Sequence, residues 1–125
     1  MKKYIVFTYF AVSLVLLNCK QTSANKNLIS LSPKQFHTAL NKNSVQLIDV
    51  RTPKEYNAGH IKNAVNVDFF SNDFTNKINN LNKEQPVYIY CRSGKRSKKS
   101  AFEFQKAGFT KIYNLEGGFL NWMSK

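Results

Sequence analysis

Only two cysteines, Cys19 and Cys91, occur in this 125-residue chain. Two thiols exclude a disulfide framework and, unaided, a four-thiolate zinc site. Acidic residues are also scarce, seven against nineteen Lys and Arg, which leaves a formal charge of +12. Arginine is rarer still: three residues, Arg51, Arg92 and Arg96, stand against sixteen Lys. No apolar run reaches the ~20 residues of a comfortable membrane span. No internal repeat or low-complexity block interrupts the chain after residue 28. What is present suits one domain, since ~100 residues suffice for a hydrophobic core. Apolar residues at 42% and aromatics at 14% exclude a disordered chain.

A charge of +12 invites a nucleic-acid or membrane reading. The sixteen Lys come with fifteen Asn, however, a pairing typical of an AT-rich coding bias, and much of the charge then reads as solvated surface. Lysine serves as a surface point charge, whereas arginine offers a planar fork of donors for anions. The three arginines are therefore the informative cations, and two of them lie beside Cys91.

The N-terminus reads as an address. Met1-Lys2-Lys3 is a short positive segment, and Tyr4 to Asn18 follows with fifteen uncharged residues. That pattern fits a secretory signal peptide over residues 1–18. Leu16-Leu17-Asn18-Cys19 resembles a bacterial lipobox, although that motif prefers Gly, Ala or Ser where Asn18 stands. Cys19 is accordingly expected to be lipidated, with ordinary cleavage after Ala24 as the rival. Residues 19–27 read as a polar tether and residues 28–125 as the domain. Removal of residues 1–18 discards two lysines, so the mature charge is 12 − 2 = +10. The expected location is outside the cytoplasm, in the periplasm or cell envelope, with the membrane engaged through the anchor alone.

Helices and strands alternate through the domain. Ser32-Pro33-Lys34-Gln35 opens one helix and Thr52-Pro53-Lys54-Glu55 another, each with a capping-box pattern and Pro at the first helical position. Val45 to Val50, Ala64 to Val67, Val87 to Tyr90 and Lys111 to Leu115 read as strands. Phe74, Ile78 and Leu81 have helical spacing. Ser97 to Ala107 reads as a helix closed by Gly108, and Phe119 to Met123 as a last helical turn. Such alternation predicts an α/β fold, a small, mainly parallel central sheet with helices on both faces.

Cys91 falls at the carboxyl end of a predicted central strand, where open α/β sheets bind their ligands. Arg92-Ser93-Gly94-Lys95-Arg96-Ser97 follows and leads into a helix. A tight turn at Gly94 would direct backbone N–H groups inward, an anion-binding nest at a helix N-terminus. Those groups and the nearby cations favour thiolate over thiol at Cys91. A thiolate in a cationic cradle suits an anionic, electrophilic substrate. The competing reading, an inert buried cysteine, sits poorly with four basic residues among the next seven.

Three ordered segments then carry a resemblance. Leu47-Ile-Asp-Val-Arg-Thr-Pro-Lys-Glu-Tyr-Asn-Ala-Gly-His60 resembles the first signature of the rhodanese family of sulfurtransferases. Tyr90-Cys-Arg-Ser-Gly-Lys-Arg-Ser97 is similar to its active-site loop. Asn114-Leu-Glu-Gly-Gly-Phe119, with Trp122, resembles its C-terminal signature. The resemblance implies a ping-pong reaction with no metal or organic cofactor. Cys91 would take the outer sulfur of thiosulfate or a similar anionic donor and hold it as a persulfide. It would then pass the sulfur to cyanide or a thiol. Arg92, Lys95 and Arg96 would orient the donor, and N–H groups from Arg92 to Ser97, including those of Ser93 and Gly94, would cradle the sulfur. The related phosphatases have one more residue between Cys and Arg; the spacing of Cys91 and Arg96 therefore favours sulfur over phosphorus.

Other residues receive structural readings. Asp49 and Arg51 are expected to pair near the site, Glu55 to complete a capping box, and His60 to be structural. His37 has no evident partner, and Trp122 is a core candidate. Lys98 and Lys99 stay open between an anion funnel and solvated surface. Asn63 stands where the family often has Gly, and Asn suits a positive φ. A monomer is expected, and nucleic acid is not expected as a partner. The alternative function is a persulfide relay for a protein partner in the cell envelope.

Overall fold

Val87-Tyr88-Ile89-Tyr90 forms the heart of the molecule because its pleat sends alternate side chains to opposite sides, both of them buried. The computed structural model describes residues 25–42 and 44–124. The expected signal segment, Cys19 and most of the expected tether lie outside those residues. Five strands and five helices follow in strict alternation: β1 Leu28–Leu31, α1 Pro33–Lys42, β2 Gln46–Asp49, α2 Pro53–Ala58 and β3 Val65–Asn66. They continue as α3 Phe74–Asn79, β4 Val87–Tyr90, α4 Lys95–Lys106, β5 Ile112–Leu115 and α5 Gly118–Met123. The sheet runs β1-β5-β4-β2-β3 with every neighbouring pair parallel.

Two apolar layers flank it. Val87, Ile89 and Cys91 face one layer with Phe74 and Ile78 of α3 and Ala101 and Phe104 of α4. Tyr90 faces the other with Leu47, Ile61 and Phe36 of α1, and Trp122 of α5 packs against it. Truncating a fully buried member such as Phe104 to Ala would cost about 3–5 kcal/mol. Helix α1 begins as the spacing predicts: Gln35 N–H donates to Ser32 Oγ at 3.2 Å and Ser32 N–H to Gln35 Oε1 at 2.9 Å. Asn63 takes φ 69°, the left-handed conformation expected of it.

Two elements differ from the sequence reading. Strand β1 was not foreseen: it lies at the sheet edge, its register set by a distant partner, Leu28 opposite Ile112. Helix α4 starts at Lys95, two residues before Ser97, because Gly94 at φ 101° turns the chain straight into it. The chain winds outward from β2 to β3 and then the opposite way from β4 to β5. That reversal places a topological switch point at the carboxyl ends of β2 and β4, where open α/β sheets bind their ligands. Asp49 and Cys91 both lie there.

Candidate active site

Cys91 leaves β4 and the chain immediately bends, so that Gly94 N–H donates to Sγ at 3.1 Å. Ser97, in the first turn of α4, places its hydroxyl 3.4 Å from Sγ and 3.1 Å from Gly94 O. Burial alone would raise the thiol, for Cys91 is 1% exposed. The Ser97 hydroxyl and the N–H groups of Ser97, Gly94 and Ser93 more than offset it, and Cys91 is lowered from 9.0. The cause is hydrogen bonding to the charged form, not a neighbouring base. Arg92, Ser93 and Lys95 are exposed around this sulfur, whereas Gly94 and Ser97 are buried.

Arg96 is placed differently from its companions. Its Nη1 donates to Glu55 Oε2 and its Nη2 to Glu55 Oε1, each at 2.7 Å, a bidentate pair across α2 and α4. Glu55 also completes the expected capping box, accepting from Thr52 N–H at 3.0 Å while its own N–H donates to Thr52 Oγ1 at 3.3 Å. Arg96 first, then the Thr52 donors against the opposing effect of burial, hold its carboxyl down at about 2. One carboxylate thus caps a helix and fixes the end of the cysteine loop. Sequence reasoning saw the cap and missed the ion pair.

The three signature segments converge on the loop. Arg51 and Asp49 form a buried pair, Nη2 to Oδ2 at 2.6 Å, and Arg51 Nη2 also donates to Gly59 O at 2.7 Å. The guanidinium carbon of Arg51 lies 4.3 Å from the centroid of the Phe119 ring. Phe119 N–H in turn donates to Cys91 O at 2.8 Å, and Leu120 N–H to Arg92 O at 3.1 Å. Helix α5 is therefore docked end-on against the loop carbonyls. Only glycine permits that approach at position 118. A Cβ there would sit 2.5 Å from Arg92 O and 2.6 Å from Cys91 O, and φ is +63°. The turn at Gly117-Gly118 is legible in the sequence; its service as the seat of the cysteine loop is not.

The histidines stand apart from this chemistry. His60 stacks on Tyr56 at 3.7 Å and its Nδ1 lies 2.9 Å from Tyr56 O. His37 packs beside Trp122 at 5.6 Å. Both line a cavity of about 580 Å³ with Leu40, Leu47, Ile61 and Trp122, and no residue of the 91–97 loop lines it. No cysteine and no carboxylate lines that cavity. Among the described residues no cluster of three His, Cys, Asp or Glu could hold a metal ion.

Comparison with known proteins agrees with this geometry. The family model for the rhodanese-like domain matches residues 32–125, and the chain belongs to that family. YqhL of Bacillus subtilis (strain 168) is 34% identical over 125 residues, covering 100% of this chain and 96% of that one. The thiosulfate sulfurtransferase GlpE of Pseudomonas paraeruginosa is 31% identical over 94 residues, 75% of this chain and 83% of that one. The crystal structure of a rhodanese-like domain protein from Staphylococcus aureus superposes with TM-score 0.63 at 30% identity, over 74% of this chain and 89% of that one. Longer relatives also match, and the chain spans 34% of one named tRNA uridine(34) hydroxylase. Sulfur transfer is the activity these family relationships support.

Proposed function

We propose that the domain moves a sulfane sulfur from thiosulfate, or a similar small anionic donor, to a thiophilic acceptor through a persulfide on Cys91. The observation that carries this reading is a buried sulfur, lowered from the ordinary thiol value by three backbone N–H groups and a hydroxyl. It lies within a loop whose exposed side chains include Arg92 and Lys95. A lowered nucleophile is what attack on sulfur requires. The Cys91 thiolate forms an S–S bond to the outer sulfur of thiosulfate while that atom's bond to the central sulfur breaks, and sulfite leaves with the electron pair. The persulfide keeps one negative charge, which the same fixed donors stabilise. Cyanide then attacks the outer sulfur, thiocyanate departs, and the pair returns to Cys91 as thiolate. No redox partner is required, because each step exchanges one nucleophile for another on the transferred sulfur.

Arg92 and Lys95 supply the field that draws in a dianion, and Arg96, already held by Glu55, positions the loop. Thiosulfate:cyanide turnover tests the reading. Thiocyanate should form with the wild type and fall by about 1,000-fold or more in Cys91→Ser. Turnover retained in that variant would overturn it. From the N-terminal pattern we further propose export and lipid attachment at Cys19 in the cell envelope. Radiolabelled palmitate should enter the wild type and not Cys19→Ser; equal labelling of both would refute the anchor.

A further inference from the structure

Resting on that reading, we propose that the outward face of α4 is the docking surface for the physiological sulfur acceptor, an acidic protein bearing a reactive thiol. Helix α4 carries charge that the fold does not need. Helix α4, KRSKKSAFEFQK, has five basic residues and one acid, and no acid in its first turn. Cations at a helix N-terminus oppose the helix dipole, and like charges four apart repel, as Lys95 and Lys99 do. Their placement therefore works against the helix. Lys95, Lys98 and Lys99 have no carboxylate partner among the described residues; Lys106 alone of the helix's lysines has one, Glu103 at 3.3 Å.

The geometry arranges these cations in a stripe. Ser97, Ser100, Ala101 and Phe104 are the buried residues of the helix. At helical spacing Lys95, Lys99, Phe102 and Lys106 fall on the opposite side, with Lys98 at its flank. Phe102 is 40% exposed in the middle of this basic face, an apolar contact ringed by lysines. The stripe starts at Lys95, in the loop that holds Cys91, and Arg92 extends it past the nucleophile. Such a face is complementary to an acidic surface, and the apolar centre gives that surface something to bury. Cys91 is 1% exposed, so an acceptor must bring its thiol to the loop on a projecting segment while its flanks rest on the helix. An anionic lipid surface has the same charge, but it offers no thiol to take the sulfur from Cys91. A protein acceptor is therefore the occupant the arrangement favours.

The transfer balances without an added reductant. The acceptor's thiolate attacks the outer sulfur of the Cys91 persulfide, the S–S bond to Cys91 breaks, and Cys91 leaves as thiolate. One persulfide is consumed and one formed.

Three synthetic peptides test the proposal on the full chain, each with one central Cys flanked by Glu, by Gln or by Lys. At low salt the Glu peptide should accept sulfur with kcat/KM at least about tenfold above the Gln peptide, the advantage shrinking as ionic strength rises. The double variant Lys98→Glu/Lys99→Glu should lose that advantage, and Phe102→Ser should lower the Glu-peptide rate several-fold. Cyanide turnover should be unchanged in both, which also reports that they fold. Equal rates for the Glu and Gln peptides would overturn the proposal. So would a double variant that slows cyanide and peptide alike, which would assign the lysines to the small donor. Binding to phosphatidylglycerol vesicles that is abolished by the double variant, without any peptide preference, would assign the face to a membrane. Absence of cyanide turnover in the wild type would contradict the sulfur-transfer reading itself, and the docking proposal with it.

Discussion

The two halves of the cysteine loop are built to opposite ends. The leading half, Arg92, Ser93 and Lys95, is exposed, and neither cation has a carboxylate partner among the described residues. The trailing half is tied down: Arg96 is clamped by Glu55 and the buried Ser97 bonds to the loop and the sulfur. Position in the loop, more than residue type, separates the two roles. Arg92 and Arg96 are both arginines at the mouth of one site, yet one is free to meet an anion and the other holds the scaffold. A sequence reader counts them as equals.

That contrast can be broken from the scaffold side first. Gly118→Ala should have the largest effect, since its Cβ would overlap the carbonyls of Cys91 and Arg92. A loss of about 2–4 kcal/mol in urea unfolding and a fall of about 100-fold in turnover are expected. Next, Arg92→Ala and Lys95→Ala should each raise KM for thiosulfate about tenfold while leaving the unfolding midpoint in place. Arg96→Lys should do the reverse: charge is kept, but the fork to Glu55 is lost, so stability drops by about 1 kcal/mol and KM moves little. Identical kinetic profiles for the Arg92 and Arg96 variants would dissolve the distinction.

A finer test uses pH. Ser97→Ala removes one of the donors that lower Cys91, so the thiol should rise toward 9.0. Turnover at neutral pH should fall by about 3- to 10-fold and recover as the pH is raised past 9. The smallest effect concerns Glu55, held at about 2 against an ordinary 4.5. Because the folded value is the lower one, the pair's stabilisation is full above pH 4.5 and fades as pH falls toward 2. Acid titration of unfolding should therefore show the wild type losing its advantage over Glu55→Gln through that window. A gap that stays constant down to pH 2 would show that the ion pair is not its source.

How much of this was readable beforehand depended on distance along the chain. Cys91 and its loop are contiguous, and a strand of β-formers ending in a polar, glycine-bearing turn points to them directly. The capping boxes at Ser32 and Thr52 are equally local and are found in the fold as read. Strand β1 was missed because two of its four residues are exposed at an edge and only its pairing with β5 defines it. The Glu55–Arg96 pair joins residues 41 apart, and nothing in either neighbourhood signals the other. Gly118 announces a turn, but the carbonyls that forbid a side chain there belong to residues 91 and 92.

Mass spectrometry of the intact protein after thiosulfate treatment, without reducing agent, reads the sulfur on Cys91 itself. One added sulfur, about 32 Da, should map to Cys91, be discharged by cyanide and be absent from Cys91→Ser. An unmodified Cys91, or an adduct that survives the Ser substitution, would contradict transfer through a Cys91 persulfide.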